Sequence, residues 1–490
     1  MPVHNRLCRF LCALLCAALF TALLPARSFA ESGPMITQPY LENLALCVDG
    51  GEGRTVRTLH YLYKNNRYVS LRDVAAALSG TAKHFDVSFG GELFTITTDR
   101  DYTPAGGENE AFPELTSSGA PYSYSTRPLA LNPIQIDGRE LRYMSFLGLN
   151  SASRQDCFIS VTDLAMQLDF NMELSDGIML LDTSRGYRID LETLLDEGFY
   201  GEIHSALVGL ADTGTVYAAW EPELSVPIAS TSKLMSFLVA MDAVADGEIT
   251  LADPVTITDE AARLSRTADG ILTLQPGWVT SVTELLIAML LPSSNECALA
   301  LAIHVAGSEE AFVERMNRKA RVLGLSDGAM FYNCNGLPVF TDNLAATKVQ
   351  NRMSANDMFL LVSHILRTYP EIRRITGMQS ASLEGLRATV YNSNPLLYNV
   401  PGVVGLKTGT TNMSGSCLVC LAEAQDAAGE THQLVAVEFG AEDKTVRTTF
   451  TEELIRYGLQ RLREDPAAAE STPEIPAGAE ELIRAVLNSY

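Results

Sequence analysis

Ser230 and Lys233 stand three residues apart, just ahead of an apolar run over 234–244. On a helix, positions i and i+3 share a face, so the hydroxyl and the amine meet in the first turn. Such a pair can make a serine nucleophile without histidine. The open N–H groups and positive dipole end of a helix start disfavour a second positive charge nearby. Burial acts in the same direction. A fall of about three units from the ordinary lysine value of roughly 10.4 corresponds to roughly 4 kcal/mol of differential solvation. A neutral amine can then take the Ser230 proton. Taken alone, the spacing equally describes an N-cap serine beside a surface lysine.

Two further clusters carry polar groups suited to the same chemistry. Ser293-Ser294-Asn295 follows a helical pattern over 282–291 that Pro292 stops, and another helix starts near Glu296. The triplet therefore sits on an inter-helix loop, where a hydroxyl and an amide can project into a cleft. The same spacing at Ser354-Ala355-Asn356 has Asp357 three residues after the serine and reads as a helix cap. The other cluster is Gly405-Leu406-Lys407-Thr408-Gly409-Thr410-Thr411. Lys407 and Thr408 alternate across a strand. Gly409 lets another backbone approach closely, and an extended peptide can lie alongside as an added strand.

The elements that must hold these clusters follow from pattern. Residues 206–211 and 215–220 read as strands joined by Asp212-Thr213-Gly214, and apolar runs at 417–422 and 434–439 follow the lysine strand. The fold class is α+β: an antiparallel sheet flanked by helices. Cys417 and Cys420 have metal or redox spacing, but within a strand i and i+3 face opposite ways. The seven His include no H-E-x-x-H, and no glycine-rich nucleotide fingerprint occurs, so neither metal nor cofactor is expected. With Lys+Arg 36 against Asp+Glu 59, a net charge of −23 argues against broad contact with nucleic acid or anionic lipid.

The first third is organised differently. Arg6 and Arg9 precede an apolar run over 10–24, and Ser28-Phe29-Ala30 offers a cleavage site, so residues 1–30 read as an export signal. The location is then extracytoplasmic, in the cell envelope or secreted. Tyr68-Val69-Ser70-Leu71-Arg72-Asp73-Val74-Ala75 recurs as Phe158-Ile159-Ser160-Val161-Thr162-Asp163-Leu164-Ala165. Each copy follows a turn, Val48-Asp49-Gly50 or Ile136-Asp137-Gly138, continues into a short Ser-capped helix, and ends in a hairpin. Residues 101–128 read as a loop or linker. The last segment, 463–490, reads as a linker and a short helix.

The repeat resembles the copper amine oxidase N-terminal-like domain of exported envelope proteins, over residues 38–185. It carries no metal-ligand cluster, and it is the candidate for contact with the cell envelope. Over 190–462 the ordered motifs S-x-x-K, S-x-N and K-T-G resemble the serine D-alanyl-D-alanine carboxypeptidases, the low-mass penicillin-binding proteins. Supporting text includes His304-Val305-Ala306-Gly307-Ser308, Gly336-Leu337, and Arg447 eleven residues before Gly458 in a helix over 451–458. Val404 and Thr410 depart from common family choices, an acid and a histidine.

The resemblance implies a β-lactamase/transpeptidase-like fold and hydrolysis of the terminal D-Ala-D-Ala bond of peptidoglycan pentapeptides. In that scheme Ser230 is the nucleophile and Lys233 its base. Ser293 passes a proton, and Asn295 orients the acyl chain. Backbone N–H groups of Ser230 and Thr410 hold the oxyanion, while Lys407, Thr408 and Arg447 hold the carboxylate beside Gly409. β-Lactam antibiotics become covalent inhibitors. Two rivals share the motifs: a class A β-lactamase, whose E-x-x-L-N-like loop does not occur between Asn295 and Lys407, and a non-catalytic penicillin-binding envelope protein.

Overall fold

The computed structural model describes residues 40–61, 66–90, 93–110, 122–125, 134–140, 146–151, 154–175, 178–189, 203–340, 348–426 and 428–464. The export signal expected at 1–30 lies outside them, as do the linker and helix expected over 463–490 from residue 465 on, while residues 463 and 464 end a helix. Among the described residues no helix is long and apolar enough to cross a membrane.

The repeat forms an α+β unit with its own core. Its strands are β1 (Tyr40–Val48), β2 (Arg54–Tyr61), β3 (Asn66–Ser70), β4 (Phe85–Gly90), β5 (Leu93–Thr98), β6 (Tyr122–Ser125), β7 (Ile134–Ile136), β8 (Arg139–Glu140), β9 (Phe146–Ser151), β10 (Arg154–Ser160), β11 (Asn171–Ser175) and β12 (Ile178–Asp182). Helices α1 (Leu71–Leu78) and α2 (Val161–Leu168) are the two expected short helices. Ser70 accepts from the Asp73 N–H and Ser160 from the Asp163 N–H, as the sequence pattern anticipates. Asp73 is also engaged by Arg57, whose Nε and Nη2 reach its two carboxylate oxygens at 3.0 and 2.9 Å. One expectation needs correction. Tyr122–Ser125, inside the segment read as a linker, is a strand that pairs with β9 and closes one edge of the larger sheet.

The two copies exchange their hairpins. The eight-stranded sheet runs β11-β12-β1-β2-β3-β10-β9-β6, so the second copy's hairpin lies on the first copy's leading strand. The four-stranded sheet runs β4-β5-β7-β8 and makes the reciprocal pairing. Both junctions, β12 on β1 and β7 on β5, are parallel. The Asp-Gly turns lock them. Asp49 accepts from Thr183 N and Oγ1 at 2.7 and 2.6 Å, and Asp137 accepts from Thr98 N and Oγ1 at 3.0 and 2.7 Å. Both aspartates hold positive φ, 51° and 50°, where Asp and Asn are the favoured non-glycine residues.

The second half is built on a five-stranded antiparallel sheet of β13 (Ser205–Leu210), β14 (Val216–Trp220), β15 (Val403–Thr411), β16 (Gly415–Gln425) and β17 (Thr431–Ala441). The order is β14-β13-β17-β16-β15, with the lysine strand at an edge. Helices α3 (Lys233–Ala245), α4 (Val282–Leu290), α5 (Asn295–Ala306), α6 (Glu309–Val322) and α7 (Ala355–Thr368) belong to the same half, and α8 (Lys444–Glu464) follows the last strand. The sheet is covered on both faces, which is why its strands read as near-continuous apolar runs. Leu207, Val419, Val435 and Val437 pack into the core that holds α3, α4 and α5. Val208, Leu418, Leu434 and Ala436 pack into a core with α8. Cys417 joins the first and Cys420 the second, so the two thiols are on opposite faces. The last helix is longer than expected: it begins at Lys444, so Arg447 lies in its first turn.

Helix α8 contacts both the repeat unit and the residues that follow it. Gln167 Nε2 donates to Glu452 Oε1 at 2.6 Å, and the Ile189 N–H donates to Gln460 Oε1 at 3.3 Å. Arg188 pairs with Glu464 at 3.0 Å.

Candidate active site

Ser230 lies in a 3₁₀ turn, Ala229–Ser232, that runs straight into α3. Lys233, the first residue of α3, is fully buried. Its Nζ is 2.8 Å from Ser230 Oγ, 2.7 Å from Asn295 Oδ1 and 2.7 Å from the Asn335 carbonyl oxygen, with Ser293 Oγ at 3.5 Å. A neutral amine has two N–H donors and one lone pair. The amide oxygen of Asn295 and the carbonyl of Asn335 can only accept, so they take the two N–H bonds. The lone pair is left facing the Ser230 hydroxyl. Burial lowers Lys233 to about 7, against smaller upward pulls from Cys334, Glu296 and Cys297.

The second cluster reaches the same point. Ser293 falls between α4 and α5 at φ 73°, a strained backbone for a residue with a side chain. Ser294 turns away and caps α5 by accepting from Cys297 N at 3.1 Å. Asn295 begins the helix and projects its amide to Lys233. The other S-x-N is a full capping box on α7, with Ser354 and Asp357 bonding reciprocally, as its sequence indicates.

The edge strand β15 passes directly against Ser230. A Cβ on Gly409 would come within 2.9 Å of Ser230 N and 3.0 Å of Ala229 Cβ, so only glycine permits this approach. Lys407 is buried, and its Nζ donates to the neighbouring Thr408 carbonyl at 2.9 Å. Burial first, and then the charges of Lys233 and Arg447, push Lys407 well below the ordinary lysine range. Among the described residues no carboxylate forms an ion pair with Lys233 or Lys407. Arg447 reaches over from α8, with Nη1 3.5 Å from Thr410 Oγ1. Thr410 Oγ1 itself donates to the Gly409 carbonyl at 2.7 Å. The Thr408 hydroxyl lies 2.6 Å from Ser393 Oγ. Ser393 Oγ donates to the Leu291 carbonyl, so the Thr408 proton goes to Ser393 and leaves Thr408 Oγ1 as an acceptor.

The structure thus gathers all nine positions singled out in the sequence around Ser230 and the adjoining edge strand. Four participants were not singled out. Asn335 contributes a backbone carbonyl, which no side-chain motif encodes. Ser393 ties Thr408 to α4. Gln350 bridges the Gly336 carbonyl and Thr411, at 2.7 Å to the carbonyl and 3.1 Å to the Thr411 hydroxyl. Glu296, next to Asn295, is fully buried and accepts N–H bonds from Ile271 and Leu272. Asn-rich text at 333–335 and a glutamate in an apolar helix start are the visible signals for two of them.

Known proteins resemble the second half of the chain. It is 30% identical over 268 residues to the D-alanyl-D-alanine carboxypeptidase DacF of Bacillus subtilis, covering 54% of this chain and 64% of that protein. It is 31% identical over 217 residues to a D-alanyl-D-alanine endopeptidase of Pseudomonas aeruginosa, covering 44% of this chain and 65% of that one. The chain thus spans less than two thirds of the length of these curated relatives. Among solved structures, penicillin-binding protein D2 of Listeria monocytogenes with ampicillin bound is 26% identical, covering 52% of this chain and 96% of that one, with a TM-score of 0.45. Residues 202–442, which hold every position above except Arg447, match the family described as D-alanyl-D-alanine carboxypeptidase.

Proposed function

We propose that this chain is a serine-type D-Ala-D-Ala carboxypeptidase that removes the terminal D-alanine from peptidoglycan stem peptides. The observation that carries the reading is the cradle of Lys233, where two obligate acceptors aim the amine lone pair at Ser230. In the acylation step the Ser230 proton passes to Lys233 Nζ as Oγ bonds to the carbonyl carbon. The oxyanion rests on the N–H groups of Ser230 and Thr410. As the C–N bond breaks, the leaving amine takes a proton from Lys233 by way of Ser293. Water then attacks the ester with Lys233 again as base. Asn295 orients the acyl chain. Arg447 and Lys407, whose lowered amine an arriving anion draws back to its charged form, receive the free carboxylate of the leaving D-alanine beside Thr408, Gly409 and Thr410.

A penicillin presents a strained amide beside a carboxylate and enters the same pocket. After ring opening its leaving amine stays tethered and blocks water. A class A β-lactamase activates that water with a glutamate. Glu296 has both oxygens on backbone N–H groups of the 265–274 loop and does not serve. Intact-protein mass spectrometry after adding penicillin is expected to show one adduct that persists for minutes and is absent in Ser230→Ala. Rapid multiple turnover without an adduct would support the β-lactamase reading, and no reaction would support a non-catalytic binding protein.

The same proposal extends to the rest of the chain. Residues 1–30 direct export, so that N-terminal sequencing of the mature protein begins at Glu31. Residues 38–185 form a copper amine oxidase N-terminal-like repeat that meets the cell envelope, and the serine domain occupies 190–462.

A further inference from the structure

An amide side chain has two chemically opposite ends of the same shape, and its partners decide which way it faces. Asn295 Nδ2 donates to the Asp269 carbonyl at 2.7 Å, while Oδ1 accepts from Lys233 at 2.7 Å. Turned over, the amide would set its NH2 against the lysine N–H groups and its oxygen against a carbonyl. The Asp269 carbonyl therefore dictates the orientation that the lysine needs. Asp269 belongs to an irregular segment between helix Asp259–Leu264 and the next short strand, so no sheet ladder fixes its position.

Thr267 holds one side of it, accepting from Asp269 N at its hydroxyl and from Gly270 N at its carbonyl, and a buried carboxylate anchors the residues that follow. Glu296 Oε1 and Oε2 lie 3.2 and 3.3 Å from Ile271 N, and Oε1 also accepts from Leu272 N. Leu274 N donates to Ser265 Oγ at 3.1 Å and closes the segment behind it. At Gly270 the chain passes so near the Ser265 carbonyl that a Cβ would collide with it. Glu296 shares the first turn of α5 with Asn295, so the residue that uses the Asp269 carbonyl and the residue that pins its loop are neighbours.

We propose that Glu296 is the positioning residue of this site: its buried carboxylate pins the 269–272 backbone and, through the Asp269 carbonyl, sets the Asn295 amide that aims Lys233 at Ser230. This rests on the reading of Ser230 and Lys233 given above. Glu296 touches none of the reacting atoms. Its charge adds a second action, because it opposes the burial that drives Lys233 downward. The other titratable groups that act on Lys233 are Cys297 on α5 and Cys334 in the loop after α6, and Lys233 in turn acts on Lys407 of β15. Glu309 lies behind Cys334, with Oε1 3.0 Å from its Sγ.

The test is single-turnover acylation by penicillin across pH 5–9 for the wild type, Glu296→Gln and Glu296→Asp, each checked for folding by thermal melting. Glu296→Gln is expected to lose roughly tenfold or more of the high-pH plateau rate as the amide is released from its orientation. Without the negative charge, Lys233 titrates lower, so the acid limb moves to lower pH. The rate at pH 6, relative to the variant's own plateau, then exceeds the wild-type ratio. Glu296→Asp keeps the charge but is one methylene too short for the loop, so it loses plateau rate while its acid limb stays in place. A wild-type plateau in both variants, or a plateau loss with an unmoved limb in Glu296→Gln, overturns the proposal. Should Glu296→Gln not fold, Glu296→Asp decides, and a wild-type plateau in it is again contradictory. If the wild type is not acylated at all, the functional reading falls rather than the role of Glu296.

Discussion

Lys233 Nζ stands 2.8 Å from Ser230 Oγ with no water-exposed surface of its own. A charged ammonium is costly to keep in that place, and burial brings Lys233 to about 7. Acylation needs the neutral amine, so the rate is expected to rise with pH through a single limb with its midpoint near 7. Stopped-flow acylation by a chromogenic β-lactam measures this directly. A flat profile from pH 5 to 9 would move the base to another group.

Lys233→Arg keeps the charge and the hydrogen-bond donors, but a guanidinium stays protonated at any working pH. Acylation is expected to fall by roughly two decades or more, the scale of a lost general base. Near-normal acylation in this variant would contradict the assignment of Lys233.

Gly409 is the point where the edge strand touches the Ser230 turn. Gly409→Ala adds a methyl within 2.9 Å of Ser230 N and 3.0 Å of Ala229 Cβ. The strand must withdraw, at a cost of about 1–3 kcal/mol in stability, and the oxyanion position opens with it. Acylation at least tenfold slower is expected, together with a lower melting temperature. A variant equal to the wild type in both would show that the strand does not press on Ser230.

Arg447 is buried in the first turn of α8, near Thr410. Arg447→Ala is expected to weaken turnover of a peptide with a terminal carboxylate more than that of its amide. The loss of one partner from a charge-assisted bond is worth about 1.5–3 kcal/mol, or roughly 10- to 150-fold. Equal losses for acid and amide would remove Arg447 from carboxylate recognition.

The side chains of the cleft were legible because each is carried by a local pattern: a helix start for Ser230 and Lys233, a proline-stopped helix for Ser293, an edge strand for Lys407. What was not legible is what comes from distant backbone. The carbonyls of Asn335 and Asp269 have no residue type, and the Glu296 carboxylate acts on N–H groups twenty-five residues earlier in the chain. The repeat shows the same division. Its helices, caps and hairpins follow from sequence, but hairpin exchange is a pairing between copies, and similar local text in the two permits either partner. Asp49 and Asp137 appear in the sequence only as turn residues, yet each also grips the threonine that ends the other copy's hairpin. Asp137→Ala is therefore expected to lower the stability of the repeat unit by about 1–2 kcal/mol in a denaturant melt, while penicillin acylation stays at the wild-type rate. An unchanged melt would mean that the exchanged pairing does not depend on this turn.

Incubation of the protein with a peptidoglycan pentapeptide ending in D-Ala-D-Ala, followed by mass spectrometry of the peptide, tests the central claim most directly. The expected product has lost a single alanine, free D-alanine appears in equal amount, and Ser230→Ala yields neither. A pentapeptide recovered unchanged from wild-type protein that penicillin still acylates would contradict the account.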